Sequence, residues 1–269
     1  MMKFYLPFVY TFSTRLINRS QKIAWFFTYL FPVGLLFFLI SNVDVTIINY
    51  KFFLVFVIGV TTIYTIYEIG YIQNDTETIK IEYCPTLRLP EEDMLYYEES
   101  KIKIYIIRII CIIFFLIILY LFDIKIQKFG IILIILLLSF FLHNLYRSRI
   151  NLLTQFFLSS IRYLSIGLLF IDVKVITDYC IFLLIFPVIN IIEWFTKERF
   201  NLPFFIDMRS KIDIMRVYYY SITIVIVLFY FSHNIFYKEV LIILFYFLSY
   251  RISTFLIAQK LICREMVIK

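Results

Sequence analysis

Histidine and cysteine are nearly missing from this chain, and their scarcity removes whole classes of chemistry. Only two histidines occur in 269 residues, His143 and His233. Neither a His-based metal centre nor a Ser-His-Asp type of triad is expected from so few. The four cysteines, Cys84, Cys111, Cys180 and Cys263, form no CxxC and no paired spacing. Two of them fall inside apolar runs, so no disulfide framework and no thiolate metal site is read. Glycine is also rare, at five residues, and no glycine-rich phosphate loop, nucleophile elbow or transporter-like internal repeat is present. Residues 1–19 lack the charged start, short apolar core and small-residue cleavage site of a signal peptide.

What fills the chain instead is apolar. Hydrophobic residues make up 62% and aromatic residues 21% of it, with a mean hydropathy of +0.90. Soluble domains lie nearer 45–50% apolar. The apolar runs last about 20 residues, the length a helix needs to cross roughly 30 Å of hydrocarbon. A β-barrel would alternate apolar and polar residues instead. The fold class expected is therefore all-α, a polytopic transmembrane bundle of about eight spans: 23–41, 52–70, 104–122, 129–146, 152–171, 175–195, 216–236 and 239–259. An amphipathic segment over 1–22, with Arg15 and Arg19 among aromatics, suits a helix lying in the membrane interface. Residues 23–269 read as one helical domain.

The net charge of +7 speaks first of topology. With the N-terminus in the cytoplasm, Lys3, Arg15, Arg19, Lys22, Lys80, Arg88, Lys101, Lys103, Arg147, Arg149, Lys197, Arg199, Arg209, Lys211, Arg216, Lys260, Arg264 and Lys269 all lie inside. The other side receives only Lys51, Lys125, Lys128, Lys174 and Lys238. Basic residues collect in cytoplasmic loops, so both termini are expected there. No soluble basic domain exists to hold nucleic acid. The connections 71–103, 147–151 and 196–215 face the cytoplasm, and two of them are long, which makes that side the working face.

Within 71–103 lies a polar island, Asn74-Asp75-Thr76-Glu77-Thr78 on to Glu82, Pro85 and Arg88. If the second span continues as a helix, Asn74, Thr78 and Glu82 share a face and Asp75 borders it. Such hard oxygen ligands suit Mg²⁺ bridging to a phosphate, with Arg88 adding a bidentate contact. The plainer reading is a solvated helix end with a proline stop. Two further polar elements follow, Arg147 with Arg149, and Glu193-Trp194-Phe195-Thr196-Lys197-Glu198-Arg199. Glu193 and Lys197 have the i, i+4 spacing of a helical ion pair. Arg162 and Arg251 lie inside spans, where a charge faces a cavity or a partner. Glu68, seven residues before Asp75, is read as a partner for one of them.

Asn74-Asp75-x-x-Thr78-x-x-x-Glu82 followed by Pro85-Thr86-x-Arg88 resembles the first signature of the UbiA superfamily of membrane prenyltransferases, in the form of its branch acting on polyprenyl phosphate. Thr78 stands where that signature has its central Asp, and Glu82 where it has its last. One residue is missing before Pro85, and no second Asp-x-x-x-Asp motif occurs. The resemblance implies a helical cavity holding an isoprenoid chain in a bacterial cytoplasmic membrane. It also implies Mg²⁺ on Asn74, Asp75 and Glu82, with Asp75 and Glu82 as catalytic carboxylates. Asn74, Arg88, Arg147, Arg149, Lys197 and Arg199 would bind substrate phosphate, and Glu68, Thr78, Arg162 and Glu193 would line the cavity. The activity implied is transfer on an isoprenoid phosphate or diphosphate at the cytoplasmic face. The missing Asp positions keep open a non-catalytic relative that binds or moves a lipid-linked intermediate in cell-surface polysaccharide assembly. A transporter or assembly subunit without an isoprenoid ligand is the third reading.

Overall fold

A computed structural model describes residues 1–41, 50–82, 85–122, 124, 126–146 and 148–268. The described residues form helices and no strand, as expected of a chain whose backbone must satisfy itself in lipid. The chain divides into two compact units, Met1–Phe170 and Ile171–Lys269, a boundary that the sequence reading of one domain over 23–269 did not draw.

In the first unit, α1 (Val9–Thr14) precedes α2 (Arg19–Trp25), which runs through a π-helical turn, Phe26–Leu30, into α3 (Phe31–Ile40). Together α2 to α3 make one apolar stretch, Arg19–Ile40, long enough to cross a membrane. The π turn has an identifiable cause. Pro32 has no N–H to give and crowds the carbonyl four residues earlier. That carbonyl, of Thr28, accepts instead from the Tyr163 hydroxyl at 3.1 Å.

Then come α4 (Tyr50–Thr76), α5 (Glu91–Leu121), α6 (Ile126–Leu145) and α7 (Ile150–Leu168). Pro90 precedes α5, and Glu91, Glu92 and Asp93 fill its first turn, where acidic groups complement the helix dipole. The central helix is α4: 56% of its apolar stretch is buried, against at most 39% for any other. Gly70 lets α6 approach, since a Cβ there would meet the Phe140 ring at 2.2 Å. Across the same contact the Asn144 amide donates to the Gly70 carbonyl at 3.0 Å.

Among the described residues, seven helical stretches are long and apolar enough to cross a membrane, not about eight. The one that falls short is α7, the expected span 152–171. It carries Asn151, Thr154, Ser159 and Ser165, all buried, and Arg162 besides. These polar residues lower its mean hydropathy, and the four buried ones face protein. Seven stretches do not by themselves supply the even count behind the expectation of two cytoplasmic termini.

The N-terminal residues differ from the expected interfacial helix. Phe4 and Tyr10 have no exposed surface, and Phe4 clusters with Ile72, Tyr97 and Ile104. The segment packs into the unit because a buried ion pair holds its backbone. Arg108 Nη1 donates to Glu68 at 2.8 Å, its Nε donates to the Phe4 carbonyl at 2.8 Å, and Glu68 accepts from the backbone N–H groups of Phe8 and Thr11. Glu68 therefore pairs with Arg108, not with Arg162 or Arg251 as the sequence suggested.

The second unit contains α8 (Ile176–Tyr179), a 3-10 turn (Cys180–Leu184), α9 (Pro187–Phe195), α10 (Pro203–Ile206), α11 (Ile212–Tyr230) and α12 (Tyr237–Ile268). The expected span 175–195 is thus broken ahead of Pro187. The freed carbonyls of Leu184 and Ile185 accept from the hydroxyls of Tyr219 and Tyr220, at 2.5 and 3.3 Å. Tyrosines on neighbouring helices repair both proline breaks.

Candidate functional site

Asp75 sits in the last turn of α4 with its side chain fully enclosed. Four donors converge on it. Oδ1 accepts from Arg15 Nη2 at 2.8 Å, Arg88 Nη1 at 3.2 Å and Asn74 Nδ2 at 3.0 Å, while Oδ2 accepts from the Tyr10 hydroxyl at 3.0 Å. Burial, reinforced by the Asp75 charge, pushes the Tyr10 phenol well above its ordinary range, so Tyr10 stays a donor. Arg15 also lies over the Tyr71 ring at 4.7 Å, and its buried Nη1 has no hydrogen-bond partner. Two guanidinium groups against one carboxylate leave this cluster with a surplus positive charge.

The residues present do not fit Mg²⁺. A divalent cation needs open oxygen lone pairs, and the four groups bonded to the Asp75 carboxylate are all donors, two of them cations. The expected stripe Asn74–Thr78–Glu82 does not form, because α4 ends at Thr76 and a 3-10 turn, Thr78–Lys80, follows. Thr78 is buried and donates to the Gln73 carbonyl at 3.4 Å. Glu82 lies beyond the turn, outside any helix. No group of three or more His, Cys, Asp or Glu placed to hold a metal occurs among the described residues. The change of helix type after Thr76 is what separates Glu82 from the α4 face carrying Asn74.

Deeper in the same unit stands Arg162, on α7. Its guanidinium lies over the rings of Tyr29, Tyr64 and Tyr67, at 4.3, 5.4 and 5.5 Å. Its Nη2 donates to the Tyr64 hydroxyl, which also accepts from the Trp25 indole N–H. The buried Nε of Arg162 has no hydrogen-bond partner, nor does the Tyr29 hydroxyl. Tyr67 and Tyr71 meet edge to face at 5.9 Å, so a chain of aromatic contacts links Arg15 to Arg162.

No protein-family model, no curated protein and no solved structure matches this chain.

The remaining predicted site residues are placed as follows. Arg149 is exposed just ahead of α7, and Arg147 lies outside the described residues. Glu193, Lys197 and Arg199 belong to the second unit. Glu193 accepts from Arg216 Nε at 2.6 Å rather than from Lys197 at the i, i+4 spacing. Lys197 Nζ instead lies 3.4 Å from the centre of the Trp194 ring, with Arg199 at 4.8 Å from the same ring. Partial burial first and the Arg199 charge second lower the Lys197 pKa to about 8, with Glu193 opposing.

Of the residues that build the site, Asn74, Asp75, Arg88 and Arg162 were visible in the sequence. Arg15, Tyr10 and Tyr71 were not, since Arg15 reads as one more interfacial cation. Arg108 was also missed, although a lone charge inside the run 104–122 is itself the signal of a buried partner.

Proposed function

We propose that this chain binds an isoprenoid phosphate or diphosphate in its first unit, as a UbiA-like integral protein of a bacterial cytoplasmic membrane, and holds the anion with guanidinium groups in place of Mg²⁺. The observation carrying this reading is the convergence of Arg15 and Arg88 on the single buried carboxylate of Asp75. The surplus charge, together with the orphaned Nη1 of Arg15, favours an incoming anion. Arg forks match phosphate oxygens well. This corresponds to the non-catalytic alternative, in which a lipid-linked intermediate is bound or moved.

One observation supports the transferase reading as a second. Asn74, Asp75 and Arg88, the residues on which the UbiA resemblance rests, meet in one cluster. A phosphate drawing off Arg15 and Arg88 would free the Asp75 carboxylate for chemistry.

The test is binding of farnesyl phosphate and farnesyl diphosphate to the purified full chain, with Mg²⁺ and with chelator. Affinity indifferent to metal, and weaker by about tenfold or more in Arg15→Gln or Arg88→Gln, is the expected result. Binding that needs Mg²⁺, or product formation with an acceptor, replaces this reading with the transferase.

A further inference from the structure

Arg162 presents a problem of charge. From Ile150, the start of α7, to Arg162 the helix rises about 18 Å, which sets the guanidinium well away from the start of that helix. No carboxylate among the described residues pairs with it: its partners are tyrosines. Arginine does not shed its proton, and although Arg162 as a whole is half-buried, its enclosed Nε leaves part of that charge without a partner, which is unfavourable.

The hydrogen-bond inventory around it is one-sided. The Tyr64 oxygen accepts twice, from Arg162 and from Trp25. Its own O–H is therefore left to donate. The Tyr29 hydroxyl, in a residue only 1% exposed, has no hydrogen-bond partner. Arg162 Nε–H is likewise unused. Three unspent donors from the π turn, α4 and α7 thus gather at one guanidinium. A water molecule would use some of these donors and leave the charge standing. An oxyanion with several acceptor oxygens satisfies both.

We propose that Arg162, Tyr29 and Tyr64 form an interior anion site that takes a phosphate group, free or as a monoester, without metal. The site deepens the binding reading above and rests on it only for the isoprenoid chain; the anion site itself stands on the donors. Such a phosphate comes from a lipid headgroup or from free phosphate.

Trp25 supplies a reporter, because it donates to Tyr64 and meets its ring edge to face at 5.6 Å. The only other tryptophan is Trp194, so the Trp194→Phe full chain gives emission from Trp25 alone. In chelator, farnesyl phosphate is expected to change that emission saturably, and farnesol is expected not to. Arg162→Gln should weaken binding about a hundredfold. Arg162→Lys, which keeps the charge without the Nε donor, should fall between. Tyr29→Phe keeps the buried ring and removes one donor, and it should weaken binding roughly tenfold.

If farnesol or chloride titrates as strongly as farnesyl phosphate, the site is overturned. The same holds if Arg162→Gln and Tyr29→Phe both bind as the parent does. Binding of inorganic phosphate but not farnesyl phosphate upholds the anion site and removes the isoprenoid reading. Farnesyl phosphate binding that depends on Arg15 and Arg88 but not on Arg162 does the reverse. Absence of any binding overturns both.

Discussion

Arg108 and Arg162 are both arginines set within the first unit, yet their surroundings are opposite in kind. Arg108 has no exposed surface. It spends Nη1 on Glu68, Nε on the Phe4 carbonyl, and Nη2 on the carbonyls of Lys3 and Leu6 at 3.3 and 3.4 Å. Glu68 in turn collects two backbone N–H groups. Charge and donors are used up, and what they build is the attachment of the N-terminal segment. Arg162 has aromatic faces, one shared phenol and no carboxylate, with Nε left over. Burial is therefore a poor guide to function; satisfaction is the better one. Arg108, buried and satisfied, is architecture; Arg162, half-buried with an enclosed Nε unspent, is a request for a ligand.

The largest effect should come from breaking the satisfied member. Arg108→Leu leaves the Glu68 carboxylate buried without its cation and takes donors from three carbonyls. We expect a loss of about 3–5 kcal/mol, read as a lowered midpoint of thermal unfolding in detergent. The double change Glu68→Gln, Arg108→Leu should recover part of it, because no bare charge remains. Arg162→Leu should do the opposite in ligand-free protein, leaving the midpoint unchanged or raised. Equal losses at the two sites would end the contrast, since Arg162 would then be structural as well.

How much of this could be read from the sequence follows from the range of the interactions. The spans and the polar island were legible because apolar run length is a local property. The contacts that define the site are not local. Asp75 meets Arg15 across 60 residues and Tyr10 across 65, and no spacing rule reaches that far. The island was also misjudged in detail. Four-residue spacing put Asn74 and Glu82 on one face, but the helix ends at Thr76. Likewise Glu193 and Lys197 have an ion-pair spacing, and Arg216 takes the carboxylate instead. Periodicity shows which residues can meet along a helix and says nothing about competitors from elsewhere in the chain.

A middle-sized effect separates the two accounts of Asp75. As a Mg²⁺ ligand, Asp75→Asn should abolish substrate binding. As the anion that partly neutralises Arg15 and Arg88, the same change should tighten phosphate binding, by roughly threefold to tenfold for one unit of charge removed near a partly solvated site. Isothermal titration with farnesyl phosphate in chelator measures the sign directly. Weaker binding in Asp75→Asn would return the carboxylate to the role of ligand-holder.

The smallest effect sharpens the comparison with a cation that has a second way out. Lys197, in the second unit, is exposed on one side and set against the Trp194 ring on the other. Arg162 cannot lose its proton, but lysine can. Desolvation by burial first, and the Arg199 charge second, lower its pKa from 10.5 to about 8, with Glu193 opposing; the Trp194 ring is the surface it lies against. Between those two values the folded protein binds fewer protons than the unfolded chain. Stability contributed by this group therefore rises as pH climbs from about 8 to 10.5, and the penalty is fully present below 8. Exposure to solvent screens the effect on stability, so the titration itself is the better observable. Carbon-13 methylated lysines followed by NMR should show Lys197 titrating near pH 8, ahead of the other lysines. Trp194→Ala should move it back towards 10.5, and Arg199→Gln should do so by a smaller step. If Trp194→Ala leaves the midpoint where it was, the indole is not what removes water from Lys197, and the two cations have less in common than their missing carboxylates suggest.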